Sequence, residues 1–147
     1  MAQVAFHAGL DDKFGYACRL LRKAYRQGRR VEVRGDAEQL ARLDPLLWTF
    51  EQQEFVPHLR LRPGQRVEPQ LMRTPIWLAE DARPDLRASV LVNLGPAPAQ
   101  DFGRFDRVVE LIGGEDLERR EGRQRWRYYE AQGCKPEHVN ASTPGPS

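Results

Sequence analysis

Cysteine and histidine are scarce in this chain of 147 residues, and apolar runs are short. Cys18 and Cys134 lie far apart with no CxxC or Cys/His spacing, which argues against a zinc site or a disulfide framework. The three histidines are isolated and indicate neither a metal site nor a catalytic nucleophile. No apolar run approaches the roughly 18 residues that a membrane-spanning helix needs, and no signal-peptide pattern opens the chain. We therefore expect a cytoplasmic protein without a metal or cofactor.

The chain also lacks a strong net charge and a phosphate-binding loop. A formal charge of +2 does not support a broad basic field of the kind that coats nucleic acid. The turn after the first predicted strand contains neither GxGxxG nor GxxxxGK, and Asp11 and Asp12 there would repel phosphate. No acid/base pair stands out. We therefore expect no nucleotide site and no intrinsic catalysis.

Apolar periodicity predicts alternating strands and helices. A strand at residues 3–7 precedes a helix that Asp11 or Asp12 caps and Gly28 ends. Asp36, with Gln39 in the reciprocal position, opens a second helix after a strand at 30–34. Residues 59–75 predict an irregular connection. Further strands are predicted at 76–79, 89–94 and 107–112, and a last helix from Glu115 to Gly133.

This order of elements predicts one domain. Alternating strands and helices favour a Rossmann-like three-layer α/β sandwich with a mostly parallel central sheet. The domain is expected to span residues 1–134. Residues 135–147 contain three prolines and mostly small or polar side chains, so they predict a disordered tail.

Two aromatic segments are candidates for binding. Residues 46–58 place large apolar groups, including Trp48 and Phe55, around four polar residues at 51–54, which are expected to be exposed. Trp48 and Phe55 either close one end of the core or form an apolar patch for a protein partner.

The second segment concentrates arginine. Residues 119–129 hold five arginines and three aromatic side chains. On a helix, Arg119, Arg123 and Trp126 or Arg127 share one side, where guanidinium groups could bind an acidic peptide or a nucleic acid. A solvated helix face balanced by nearby glutamates and aspartates is the alternative, and Arg120 and Arg125 are expected to be solvated charges.

These two segments resemble one family. Leu47, Trp48, Phe55 and the run 56–58 resemble the LW…FVPH segment of the bacterial DNA polymerase III chi subunit. The basic and aromatic helix resembles that family's C-terminal helix, in which Tyr often stands at the position of Trp126. The resemblance spans roughly residues 1–135.

The resemblance implies a non-catalytic clamp-loader accessory subunit of the DNA polymerase III holoenzyme, active in DNA replication. Arg119, Arg123, Trp126 and Arg127 would bind the acidic, Phe-terminated tail of single-stranded DNA-binding protein. Trp48 and Phe55 would bind the psi subunit, a helicase or another replication protein. Neither a membrane nor direct contact with nucleic acid is expected. The alternative is a single-stranded nucleic-acid-binding module that uses the Arg/aromatic helix, with Trp126 or Tyr129 stacking a base.

Overall fold

Seven parallel strands form one sheet in the computed structural model, which describes residues 2–49 and 55–140. The strand order is β3-β4-β2-β5-β6-β1-β7. The strands are β1 (Gln3–Leu10), β2 (Val31–Arg34), β3 (His58–Leu61), β4 (Ile76–Ala79), β5 (Val90–Asn93), β6 (Arg107–Gly113) and β7 (Glu137–Asn140). The helices are α1 (Lys13–Arg26), α2 (Ala37–Thr49) and α3 (Asp116–Ala131). The predicted α/β class and parallel sheet are confirmed.

Helices cover both faces of the sheet. Alternate strand residues such as Val31 and Val33 point toward α1 and α2, and they pack with the buried faces of those helices. On the opposite face, Val4 and Phe6 of β1 and Val108 of β6 form a second cluster with Tyr129 of α3. The strands in the middle of the sheet are buried on both faces, as parallel strands usually are.

Local signals set the helix ends as predicted. Asp12 caps α1, since its Oδ1 accepts a hydrogen bond from the Gly15 amide at 3.1 Å. Asp36 and Gln39 form the predicted capping box, in which each side chain accepts from the other residue's backbone N–H at 2.8 and 3.0 Å. Gly133, just after α3, has a φ of +85°, the left-handed conformation expected where a helix ends.

A buried ion cluster lies over β2 on the α3 side of the sheet. Glu32 is fully buried and accepts hydrogen bonds from the guanidinium groups of Arg34 and Arg104. Asp101 also binds both arginines, at 2.6 Å and 2.5 Å. Burial alone would raise the pKa of Asp101, but hydrogen bonds and charge from the two arginines outweigh burial and lower it.

Two edge strands differ from the predictions. β3 lies mostly within the segment predicted to be irregular and pairs with β4, His58 opposite Ile76. β7 lies within the predicted tail and pairs with β1, Ala5 opposite Glu137. Both predictions are wrong for these residues, because β3 (HLRL) and β7 (EHVN) are edge strands with polar side chains and lack the continuous apolar run that marks β4 and β5. Residues 50–54 lie outside the described residues, and they include the four polar residues at 51–54 that are predicted to be exposed. Residues 141–147 lie outside them as well.

Among the residues that the structure describes, no helix is long and apolar enough to cross a membrane. Within the same residues, no group of three or more histidine, cysteine, aspartate and glutamate side chains could hold a metal ion.

Candidate functional site

Helix α3 has one buried side, which Gly122, Arg125 and Tyr129 occupy at spacings of three and four residues. The Arg125 guanidinium donates through Nε to Glu110 Oε1 at 2.8 Å, and the two residues are 2% and 0% exposed. Arg125 also donates to the carbonyl oxygen of Leu111 at 3.3 Å. The expectation that Arg125 is a solvated charge is therefore wrong. Its partner Glu110 is a buried residue of β6, and nothing in the sequence indicates that these two residues pair.

Tyr129 belongs to the same buried side. Its hydroxyl donates to Glu110 Oε2 and accepts from the Ala99 amide at 3.0 Å. Burial, followed by the charge and hydrogen bond of Glu110, raises the pKa of Tyr129 well above its ordinary value. The ring is fully buried. Tyr129 is therefore not accessible for stacking on a nucleic-acid base.

The solvent side of α3 presents an arginine row, defined as Arg119, Arg123 and Arg127. The three residues are exposed and succeed each other at four-residue spacing. The Arg119 side chain is 60% exposed, and its nearest charged contact is Asp116 at 3.9 Å. Within the described chain, no salt bridge joins Arg123 or Arg127 to a carboxylate. The row therefore presents guanidinium groups that an anionic partner could reach.

Trp126 lies at one border of the arginine row. Its ring centroid is 5.0 Å from that of Phe6, and the side chain is half-buried against the cluster under α3. The structure thus brings all four predicted residues of this site to one region of α3. The role of Phe6 was not predicted, because β1 gives no indication in sequence that it supports a residue 120 positions later.

The edge of the sheet where a nucleotide binds in many Rossmann-like folds is occupied by an ion pair. Lys13 Nζ lies 2.6 Å from Glu118 Oε1 and donates to the Leu94 carbonyl at 2.5 Å. Glu118 also accepts from the Gly113 amide at 3.2 Å. Although burial raises the pKa of Glu118, the hydrogen bond and charge of Lys13 lower it below its ordinary value. A carboxylate at this position disfavours phosphate.

A second candidate surface, the Trp48 patch, consists of Trp48 and Phe55. They are 50% and 59% exposed, and their ring centroids are 5.1 Å apart. Of the two interpretations that the sequence allowed, the structure favours a surface patch over closure of the core. Both aromatic groups present apolar area to solvent while they contact each other.

His58 supports the Trp48 patch from below. Its ring is buried and lies 4.4 Å from the Trp48 ring. Its Nδ1 contacts the Val56 carbonyl at 2.7 Å and its Nε2 contacts Asp44 Oδ1 at 2.9 Å. The His58 ring, held by these two hydrogen bonds, therefore packs against the buried side of Trp48.

The two surfaces lie on different parts of the sheet. α3 packs against β6 and carries the arginine row, whereas the Trp48 patch lies beside β3 at one end of the strand order. Two partners could therefore bind without competing for the same residues.

Comparison with known proteins assigns the family. The family model described as "DNA polymerase III chi subunit, HolC" matches residues 1–137. The chain belongs to the DNA polymerase III chi subunit family. This membership confirms the resemblance seen in the LW…FVPH segment and the basic helix, and the match ends at Glu137, the first residue of β7.

Curated relatives agree with the chi assignment. The chain is 32% identical over 118 residues to the DNA polymerase III subunit chi of Pseudomonas aeruginosa, covering 80% of this chain and 78% of that protein. It is 29% identical over 127 residues to the subunit chi of Escherichia coli, covering 85% and 83%.

Solved structures confirm the fold of this chi family member. The C-terminal domain of the DEAD-box protein Dbp5 is similar with a TM-score of 0.63 at 11% identity, covering 97% of this chain and 91% of that chain. A Saccharomyces cerevisiae Dbp5 C-terminal domain, solved bound to Gle1 and IP6, gives 0.65 at 11% identity and covers 95% and 90%. At this identity the likeness concerns the fold alone.

Proposed function

We propose that this chi subunit is a non-catalytic adaptor that links the clamp loader of the DNA polymerase III holoenzyme to single-stranded DNA-binding protein. The acidic C-terminal tail of that protein would bind along α3. The observation that carries the proposal is the exposed arginine row beside a half-buried indole anchored on Phe6.

The chemistry of the row suits this ligand. Guanidinium groups bind carboxylates through paired hydrogen bonds, so Arg119, Arg123 and Arg127 can hold acidic side chains and a terminal carboxylate. The accessible part of the Trp126 ring offers apolar area for a terminal phenylalanine. The ion pair of Arg125 with Glu110 and the hydrogen bonds of Tyr129 fix the opposite side of the helix and keep the row in place.

The arrangement favours a peptide over a nucleic acid on α3. Base stacking needs an accessible aromatic face. Tyr129 is buried and offers no face for stacking, and Trp126, which has one side against Phe6, offers at most one.

Titration calorimetry with an acidic tail peptide, with and without its terminal phenylalanine, tests the proposal. We expect binding at low salt that weakens as salt rises, because exposed charges are screened. Removal of the phenylalanine should weaken binding further. Equal affinity for both peptides, or no binding at low salt, would refute the assignment.

A second partner would bind the Trp48 patch. Exposed aromatic side chains near the centre of an interface often supply most of its binding energy, and Trp48 and Phe55 fit that role. The partner would be the psi subunit, a helicase or another replication protein.

Co-purification with a tagged chain separates the two surfaces. Arg123→Ala should lose single-stranded DNA-binding protein and keep the other partner, whereas Trp48→Ala should do the reverse. If both substitutions lost the same partner, the proposal of two surfaces would be wrong.

A further inference from the structure

Arginines line the edge of the sheet at which the central strands begin. Arg73 precedes β4, Arg29 precedes β2, Arg87 precedes β5, and Arg107 is the first residue of β6. These four strands are consecutive neighbours in the sheet, and all run in the same direction. The four arginines, which we call the basic edge, therefore lie along one side of the domain.

The four side chains of the basic edge are exposed. Within the described chain, none of them forms a salt bridge or a side-chain hydrogen bond. Two exposed carboxylates lie close in sequence to this edge: Asp106 beside Arg107, and Asp85, which pairs with Arg83 and lies two residues before Arg87. A net charge of +2 for the whole chain thus conceals a local excess of positive charge.

Backbone hydrogen bonds hold the basic edge in shape. The Val31 amide donates to the Pro75 carbonyl at 2.8 Å, and the Ser89 amide donates to the Arg30 carbonyl at 3.1 Å. The Asp106 amide in turn donates to the Ser89 carbonyl at 2.9 Å. The segments that enter β4, β2, β5 and β6 are therefore tied together, and the arginines project from a continuous support.

Arg87 occupies an unusual backbone conformation at the centre of this edge. Its φ is +53°, a value that favours glycine or asparagine over arginine. The turn before it is held by the Arg30 guanidinium, whose Nη2 donates to the Leu86 carbonyl at 2.9 Å. An exposed arginine at this position costs some backbone strain, and packing does not account for the choice of residue.

We infer that the basic edge binds the phosphate backbone of single-stranded DNA. Neighbouring strands lie about 4.8 Å apart, so the edge from β4 to β6 spans about 14 Å, a length that several consecutive phosphates can occupy. Large exposed apolar side chains in the described chain are few, and Leu71, near Arg73, is the one closest to this edge in sequence. An acidic peptide anchored by aromatic residues finds little to bind there, whereas a phosphate backbone needs only the cations.

The basic edge and the arginine row lie on different elements. α3, whose solvent side carries the arginine row, packs over one face of the sheet against β6, whereas the basic edge lies where β4, β2, β5 and β6 start. Contact with phosphate alone is independent of sequence, weak and strongly dependent on salt. Such contact would let this chi subunit bind the DNA directly while α3 binds the tail of single-stranded DNA-binding protein, as proposed above.

Fluorescence anisotropy with a labelled oligothymidylate of about 20 nucleotides, at about 20 mM and higher salt, tests the inference. The edge variant carries Arg29→Gln, Arg87→Asn and Arg107→Gln, where asparagine tolerates the positive φ. The control variant carries Arg119→Gln, Arg123→Gln and Arg127→Gln, an equal loss of charge. Circular dichroism and thermal unfolding establish that each variant is folded.

We expect the unmodified chain to bind, the edge variant to bind at least tenfold more weakly, and the control variant to bind nearly as well as the unmodified chain. The slope of log affinity on log salt should fall by about 2 in the edge variant, since each phosphate contact on a single strand contributes about 0.7. Replacement of the same three residues by lysine should preserve binding.

Three results would overturn the inference: no binding of the unmodified chain at low salt, full binding by the edge variant, or equal losses in the two variants. Calorimetry with the acidic tail peptide on the same variants keeps this test separate from that of the proposed function. Loss of peptide binding in the edge variant, with DNA binding retained, would assign the edge to an acidic protein segment instead.

Discussion

Arg125 of α3 and Glu110 of β6 form an ion pair between two residues that are 2% and 0% exposed, with Nε and Oε1 2.8 Å apart. Asn93 donates to the other Glu110 oxygen at 3.0 Å, and the Tyr129 hydroxyl donates to it as well. The carboxylate is thus fully engaged. This cluster joins α3 to the sheet and determines which side of the helix is turned to solvent.

Replacement of Arg125 by methionine should destabilise the domain by about 3–5 kcal/mol, because it leaves Glu110 buried without its cation. Urea unfolding measures this change. The double variant Arg125→Met with Glu110→Gln should recover part of the loss, since the uncompensated charge is removed. A loss below about 1 kcal/mol in the single variant would contradict the role of the ion pair.

Stability should fall as the pH drops from about 6.5 to about 4, because of His7. Burial, followed by the charge of Arg107, lowers the pKa of His7 from 6.5 to about 4 in the folded chain. The unfolded chain then binds a proton that the folded chain does not, so stability is intact above pH 6.5 and is lost as pH falls toward 4. The full effect is at most about 3 kcal/mol.

Comparison of the unmodified chain with His7→Phe, by thermal unfolding across this pH range, isolates the effect. The variant should lose much less stability between pH 6.5 and 5, a range above the ordinary carboxylate titrations. His138→Gln, at an exposed position in β7, is the control and should behave like the unmodified chain. Parallel pH profiles for the unmodified chain and His7→Phe would show that His7 is not responsible.

Arg123→Ala should weaken binding of an acidic tail peptide about threefold to tenfold, because one exposed charge contact is lost. Arg62→Ala is the matched control: it removes the same charge from an exposed position that follows β3, away from α3. It should change the affinity less than twofold. Calorimetry at low salt measures both variants, and equal effects would mean that only the total charge of the chain matters.

Trp48→Ala should change the free energy of unfolding by less than about 1 kcal/mol, since half of the side chain is already exposed. Leu47→Ala, its 2% exposed neighbour in α2, should cost about 2–5 kcal/mol. Urea unfolding compares the two variants. A large loss in Trp48→Ala would identify the ring as part of the core and weaken its assignment as a binding surface.

The predicted helices rest on local rules and agree with the structure to within a few residues. The capping box of Asp36 and Gln39 and the Asp12 cap of α1 each join residues only three positions apart in the chain. β3 and β7 are edge strands that contain polar residues, so neither shows the continuous apolar run that predicts β4 and β5, and each depends on a partner strand elsewhere in the chain. Their side-chain patterns alone do not distinguish them from loops.

The candidate site likewise has some features that follow from local spacing and others that depend on residues distant in sequence. Helical spacing placed Arg119, Arg123 and Trp126 together, but it could not identify Arg125 as buried, because that outcome depends on Glu110 in a strand. Nor could it predict that Phe6 supports Trp126.

The sequence by itself determined the alternation of elements, the absence of a phosphate loop, and the motifs that indicate the chi family, since these are properties of neighbouring residues. Only the tertiary structure decided which arginines are buried, that Trp48 and Phe55 face solvent, and that Arg29, Arg73, Arg87 and Arg107 share one edge. Those outcomes depend on strand order and on pairing between residues far apart in the chain, which local periodicity does not encode.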